Sequence, residues 1–137
     1  MKLQRSVLGI MAVLCLTLCG CKGRPLPDGM EEAALLGAGQ EVVLLMADGD
    51  YTSVYGALRE DVAAGTSAEE IASLMEQAAG NAGEYRQITD RMTTGQSSNG
   101  EEYGVAVFYC EFSKDSVLFR TAFDVNLELI GLEVKKQ

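Results

Sequence analysis

The side chains that could perform acid–base chemistry in this 137-residue chain are carboxylates and tyrosines, because the sequence contains no histidine. Every mechanism that needs an imidazole as base, relay or metal ligand is therefore excluded. The 20 acidic residues outnumber the 11 basic residues and give a formal net charge of -9. Phosphate backbones repel a chain of this charge, so we expect no nucleic acid partner.

Metal and cofactor sites have no support in the sequence. The spacing of the carboxylates does not match a calcium-binding EF-hand loop, and the cysteines do not form the paired motifs of zinc sites. The chain also lacks the P-loop and the glycine pattern that binds dinucleotides. We therefore expect neither a metal nor a cofactor.

Cysteine chemistry is expected at the start of the chain. Lys2 and Arg5 precede an apolar run over residues 7–18, which is typical of a secretory signal and too short for a permanent membrane helix. Residues 18–21, Leu-Cys-Gly-Cys, resemble the bacterial lipobox, in which a small residue precedes the cysteine that receives a diacylglycerol. Among the nearby cysteines, Cys21 alone fits that register.

This motif predicts the organisation of the chain. Residues 1–20 are expected to be a lipoprotein signal peptide, residues 21–30 the lipidated Cys21 and a tether, and residues 31–137 a single domain. The protein should then be extracytoplasmic and held at a bacterial membrane by its lipid anchor. Cys110 would be the remaining thiol, so we expect no internal disulfide and an inert thiol in the core.

Residues after the tether have helical periodicity. Capping side chains such as Asp28 and Asp50 precede apolar residues that recur every three or four positions. The pattern predicts three helices: one that starts near Asp28 and ends near Ala47, one between Asp50 and Gly65, and one that begins at Thr66 or Ser67 and ends before Gly80.

From Tyr85 onward the apolar period changes to two, which predicts an antiparallel meander of four strands. The predicted strands are residues 87–93, 103–112, 117–124 and 127–134. Asn99-Gly100 is the strongest hairpin signal. Turns centred on residues 114–115 and 125–126 would place Phe112 opposite Val117 and Phe119 opposite Leu132.

The same register predicts two faces of the sheet. The face under the helices should carry Ala106, Phe108, Cys110, Phe112, Val117, Phe119, Phe123, Ile130, Leu132 and Val134. The outer face should carry Val105, Val107, Tyr109, Glu111, Leu118, Arg120, Leu129 and Glu133. Arg120 would lie opposite Tyr109 and diagonal to both glutamates, forming a charge cluster. The aliphatic content of this face predicts a docking surface for a second copy or an envelope protein partner.

The order of elements also carries a resemblance. Three helices and a four-strand meander, with Gly49-Asp50-Tyr51 between the first two helices, resemble the bacterial envelope family called domain of unknown function 3887. The helix start at residues 66–70 and the strands at residues 119–124 and 129–132 match as well. The resemblance covers residues 31–134 and implies a cystatin-like α+β fold related to nuclear transport factor 2. It supplies no catalytic residues.

Three functions follow as hypotheses, because a fold alone cannot choose between them. The first is a non-enzymatic interaction or self-association module that uses the outer face. The alternative is a small-ligand-binding domain with a pocket between helices and sheet, lined by Tyr55, Tyr85 and Tyr103. The third is an isomerase or hydrolase in that pocket, with Asp90 acting beside those tyrosines, as the resemblance to related folds implies.

Overall fold

A computed structural model describes residues 24–137, so the predicted signal peptide and Cys21 lie outside the described residues. The strands form one antiparallel sheet in chain order, which confirms the predicted α+β class with helices before a four-strand meander. The elements are α1 (Glu32–Ala47), α2 (Tyr51–Ala57), α3 (Glu60–Ala63), α4 (Ala68–Ala79), β1 (Tyr85–Ser98), β2 (Glu101–Phe112), β3 (Ser116–Phe123) and β4 (Leu129–Lys136).

Two of the predicted helix caps are confirmed. The side chain of Asp50 accepts a hydrogen bond from the backbone N–H of Ser53 at 3.2 Å, and that of Ser67 accepts one from Glu70 at 3.1 Å. Asp28 does not cap α1, which begins after Glu31 without a side-chain cap. The chain makes a turn before α1 instead, so that prediction was wrong.

The second predicted helix is divided into α2 and α3. Leu58 and Arg59 both have extended backbone angles at the division. The cause is a contact with β4: Leu58 forms a bridge with Leu129, and the backbone N–H of Arg59 donates to the carbonyl of Leu129 at 2.9 Å. Pairing with the sheet therefore overrides the helical periodicity of this segment.

The Asn99-Gly100 hairpin is confirmed. Both residues have positive φ, 53° and 83°, which the two-residue turn requires, and Ser98 pairs with Glu101 across it. β1 is longer than predicted, and two irregularities between residues 85 and 90 interrupt its alternation. These irregularities explain why its faces could not be assigned from the sequence.

The register of β2 and β3 differs from the prediction by two residues. The predicted turn placed Phe112 opposite Val117. In the structure, Cys110 pairs with Val117 and Phe108 pairs with Phe119. A shift of two returns every side chain to its original face. The inner face is therefore buried as predicted, and Phe108 and Phe119 are both inaccessible to solvent.

The register of β4 differs from the prediction in two ways. Phe119 pairs with Val134 and not with Leu132, a shift of two residues, and a bulge follows. Phe123 pairs with Leu129 while Ala122 pairs with Gly131, so one extra residue lies in β4 between the two pairs. The insertion exchanges the faces of its neighbours: Leu129 is fully buried in the core, and Ile130 packs on the outer face. The predictions for both residues were wrong.

The main core lies between the helices and the inner face of the sheet. Leu35, Val43 and Met46 of α1 are buried there with Ile71 and Met75 of α4. In the sheet, β2, β3 and β4 supply the buried core residues. β1 adds Tyr85 and Ile88, which are only partly buried. Within residues 24–137, no helix is both long and apolar enough to cross a lipid bilayer.

Residues 24–30 form a segment that packs on the domain before α1, and we call it the docked N-terminal segment. The backbone N–H of Arg24 donates to the hydroxyl of Thr94, and the backbone N–H of Gly95 donates to the carbonyl of Arg24, both at 2.9 Å. Pro27 and Met30 are buried. The described part of the predicted tether is thus in contact with the domain.

Candidate functional site

The outer face of the sheet carries a second apolar cluster. Val105, Val107 and Ala122 are buried there, and four longer side chains pack over them. We call these seven residues the outer patch: Tyr103, Val105, Val107, Tyr109, Leu118, Ala122 and Ile130. Every member belongs to the sheet, whereas the helices pack into the main core. Among residues 24–137, the outer patch is therefore covered by its own larger side chains.

β1 extends the outer patch with Met92. Met92 pairs with Val107, and 39% of its surface is exposed. Because the alternation of β1 is weak, the sequence pattern did not predict that Met92 lies on the outer face. The Asn99-Gly100 turn supplied a sufficient signal, because a two-residue hairpin centred there pairs residue 92 with residue 107.

The charged residues of the outer face are arranged differently from the prediction. Arg120 lies opposite Val107 and Glu133, not opposite Tyr109. Glu111 lies opposite Ser116, at the start of β3 and away from Arg120. It accepts a hydrogen bond from Gln87 at 2.8 Å. The two-residue shift in register thus removes Glu111 from the predicted cluster. None of the ion pairs found in residues 24–137 involves Arg120.

A cleft of about 380 Å³ opens beside the outer patch. Its lining includes Tyr103, Arg120 and Ile130 of the sheet together with Arg59 and Glu101. Arg120 is thus a basic residue of a cleft that also has apolar lining residues. An arginine at such a place can accept a carboxylate from a partner molecule.

Arg59 joins three distant parts of the chain. Its guanidinium contacts Asp61 at 2.8 Å, Asp124 at 3.2 Å and Glu101. Hydrogen bonds to Asp61, Glu101 and Asp124 raise the pKa of Arg59 above its ordinary value, and the bond from Arg59 lowers the pKa of Asp61. We call these four residues the Arg59 cluster. It ties the α2–α3 junction to the first hairpin and to the turn before β4.

The sequence did not point to the Arg59 cluster. Two of its carboxylates are 42 and 65 positions from Arg59 in the chain, so no local spacing marks them. Asp124 is further fixed by backbone N–H groups of Asn126 and Glu128, each at 2.9 Å from one carboxylate oxygen. The buried carboxylate is thus held in a turn and acts as a structural group.

The predicted pocket tyrosines lie in three separate places. Tyr55 donates its hydroxyl hydrogen to the carbonyl of Ala63 at 3.0 Å and so closes the α2–α3 corner. Tyr85 stands edge-on to Phe112 with ring centres 5.7 Å apart, and burial raises its pKa. Tyr103 belongs to the outer patch. The structure does not bring these three side chains together.

Clefts of different sizes lie where the helices meet the sheet. One of about 460 Å³ is lined by helix residues and by Tyr85 and Phe112 of the sheet, but neither Tyr55 nor Tyr103 borders it. Another cleft, which is apolar and measures about 160 Å³, has a lining that includes Val54, Ile71, Leu74 and Leu132, and none of the three tyrosines borders it. Drug-sized ligands occupy pockets of about 300–1,000 Å³. The apolar cleft has room for one small apolar group.

The remaining candidate groups are dispersed. Cys110 is buried in the core as expected, and burial raises its pKa to about 11, which keeps the thiol protonated and unreactive. Asp90 is exposed on β1 and faces Tyr109 rather than the proposed pocket tyrosines. Within the described residues, no group of three or more acidic or cysteine side chains is arranged to hold a metal ion.

Helices packed on one face of an antiparallel meander sheet define a small α+β domain. The family described as "Protein of unknown function (DUF3887)" matches residues 39–132, so the chain belongs to that family. The match runs from the middle of α1 into β4 and includes the whole outer patch. No curated protein matches the chain.

A solved structure shares the fold. It is the NMR structure of a protein from Ruminococcus gnavus ATCC 29149, with a TM-score of 0.68 and 18% sequence identity. The likeness covers 80% of this chain and 95% of the other. At this identity the likeness concerns the architecture of the domain.

Proposed function

We propose that this protein is a non-enzymatic, lipid-anchored extracytoplasmic domain that docks another protein chain through the outer patch. The observation that carries the proposal is an apolar cluster on a sheet face that the described helices leave uncovered. Apolar residues gathered in this way mark interaction surfaces more often than scattered ones do.

The lipid anchor rests on the sequence around Cys21. Two acyl chains hold a protein stably at a bilayer without help from the rest of the chain. Removal of residues 1–20 takes away Lys2 and Arg5 and no acidic residue, so the net charge falls from -9 to about -11. Anionic headgroups repel such a domain, so the anchor is its means of membrane attachment.

A second copy of the chain is the partner that we propose first. The outer face carries both signs, with Arg120 and Lys135 near Glu133, so two copies related by a two-fold axis can oppose unlike charges. The strands have 14, 12, 8 and 8 residues and present roughly 650 Å² of sheet area. A standard interface buries about 800 Å² per partner, so the contact must use the whole face.

Sedimentation velocity of the chain from Gly23 onward tests this proposal. Met92→Glu places a charge at the edge of the outer patch and should convert a dimer to a monomer. Leu44→Glu is the matched control, because Leu44 is also 39% exposed but belongs to α1. A wild-type monomer would rule out self-association and leave a different protein as the partner.

The non-enzymatic part of the proposal is supported by the state of the carboxylates. Acid–base catalysis in a pocket needs a carboxylate with a perturbed pKa that is open to substrate. Asp124, the buried carboxylate, is engaged by Arg59 and two backbone amides. Its oxygens are therefore committed to holding the turn.

A small apolar ligand is the second candidate, favoured by the cleft of about 160 Å³. An engineered cavity of roughly this size binds benzene in another protein. Benzene at 100 times its dissociation constant would stabilise the fold by about 2.7 kcal/mol, which calorimetry detects as a higher Tm. An unchanged Tm at saturating benzene would remove this candidate.

A further inference from the structure

The docked N-terminal segment lies close to the predicted anchor in the chain. Arg24 forms a hydrogen bond with β1 and follows Cys21 by three positions. A fully extended chain advances at most about 3.6 Å per residue, so three residues span about 11 Å. If the contact began only at Glu31, ten residues would span about 36 Å and would leave the domain free to turn.

The segment is held by several independent contacts. Backbone hydrogen bonds join Arg24 to Thr94 and Gly95, and the carbonyl of Pro25 lies directly against Gly95. Gly95 is buried beneath this crossing, where a Cβ atom would collide with the backbone of Pro25. Absence of a side chain at residue 95 is thus a condition for docking.

Further along, the segment becomes part of the core. Leu26 packs against the main core, Pro27 is buried, and the sulfur of Met30 lies against Gly104. Pro27 and Met30 are also joined by a backbone hydrogen bond of 3.1 Å. Because apolar burial and hydrogen bonds act together, the segment moves with the domain.

We propose that the docked N-terminal segment fixes the orientation of the domain on the membrane, with the β1–β2 hairpin end held toward the lipid surface. The inference rests on the lipid anchor of the proposed function. The anchor enters beside Thr94 and Gly95, which lie near the hairpin end of β1 and far from Tyr85. The outer patch then faces sideways, parallel to the membrane, where a neighbouring anchored copy can reach it.

Two fluorescent labels at opposite ends of β1 test the orientation. Ser98→Cys and Arg86→Cys are exposed positions 12 residues apart, about 40 Å along a strand. The buried Cys110 thiol will not react with the label, and acylation occupies Cys21. The full chain is produced in a bacterium that processes lipoproteins and is reconstituted into vesicles of phosphatidylcholine and phosphatidylglycerol that carry a nitroxide on a lipid headgroup.

We expect the nitroxide to quench the label at residue 98 at least roughly twofold more than the label at residue 86, because the two differ by tens of ångströms in height. Gly95→Ala should expel the segment and make the two values similar. Gly56→Ala is the matched control, since nothing lies within 4 Å of the added Cβ atom, and it should keep the difference.

Separate outcomes contradict the inference and the function on which it rests. Mass spectrometry that shows an unacylated Cys21 contradicts the anchor and with it the orientation. Acylated chains whose two labels are quenched equally, or whose difference survives Gly95→Ala, contradict the orientation alone. Thr94→Val, which removes the acceptor for Arg24 but keeps a strand-forming residue, replaces Gly95→Ala if circular dichroism shows that variant unfolded.

Discussion

At the scale of single residues, Arg59 makes contacts that no neighbour in the sequence can replace. It is the cation shared by Asp61, Glu101 and Asp124, and the last of these is buried. Removing one partner from a buried ion pair is costly, because the remaining charge loses its compensation. The Arg59 cluster is therefore a structural junction.

Arg59→Met should lower the Tm, and Arg59→Lys should lower it less, because lysine keeps the charge but loses the forked geometry. Differential scanning calorimetry measures both. Arg86→Met is the control, since Arg86 is exposed and belongs to none of the ion pairs of the described residues. Equal Tm values for the Arg59→Met and Arg86→Met variants would show that the cluster is only a surface feature.

The cluster also sets a dependence on pH. Because the folded-state pKa of Asp61 lies below its ordinary value of 3.8, its stabilising contribution is present above that pH and is lost as the pH falls below about 4. Urea unfolding between pH 2.5 and 5 should show a steeper loss of stability in the wild type than in Arg59→Met. Parallel curves would contradict the assignment.

Glycine contacts in α1 give a matched pair of substitutions. A Cβ atom at Gly39 would lie 2.6 Å from a ring carbon of Phe108, so Gly39→Ala should destabilise by about 1–3 kcal/mol. Gly37 has open space around it in the same helix, so Gly37→Ala should stabilise by about 0.5–1 kcal/mol. Chemical denaturation measures both, and a stabilising Gly39→Ala would mean that α1 does not lie so close to the sheet.

At the scale of elements, alternation in the sequence predicted the faces of β2 and β3 correctly even though the pairing was displaced. An even displacement keeps each side chain on its face, so Phe108 and Phe119 were assigned correctly. The bulge near Phe123 is an odd displacement and reversed Leu129 and Ile130. Neither the residue types nor their spacing predicts this bulge, because its position depends on tertiary packing.

The candidate site was predicted only in part, because the alternation gives the face of a residue but not its partner on the next strand. Four members of the outer patch were predicted from the alternation: Val105, Val107, Tyr109 and Leu118. Met92, which extends the patch, was not predicted. The neighbours of a side chain on the facing strand change with any shift in register. The shift of two residues moved Glu111 opposite Ser116, so the predicted contact with Arg120 is absent. Long-range groups such as the Arg59 cluster require the folded chain.

At the scale of the whole molecule, the strong negative charge opposes the proposed dimer. Two copies of an acidic domain repel each other over about 10 Å at 0.1 M salt, and higher salt screens this repulsion. The dissociation constant from sedimentation equilibrium should therefore fall severalfold between 0.05 M and 0.5 M sodium chloride. A dimer that weakens with salt would indicate that Arg120 pairs, rather than apolar contacts, hold it together.

The crossing of the docked N-terminal segment over Gly95 has a consequence for crowding. Lipid anchors confine their proteins to two dimensions, where local concentrations are high and a bare edge strand invites chain-to-chain growth of sheets. Here the backbone N–H of Gly95 on the β1 edge is already satisfied by Arg24. Strand addition is therefore blocked at that point of the β1 edge, which limits the growth of a shared sheet from this side.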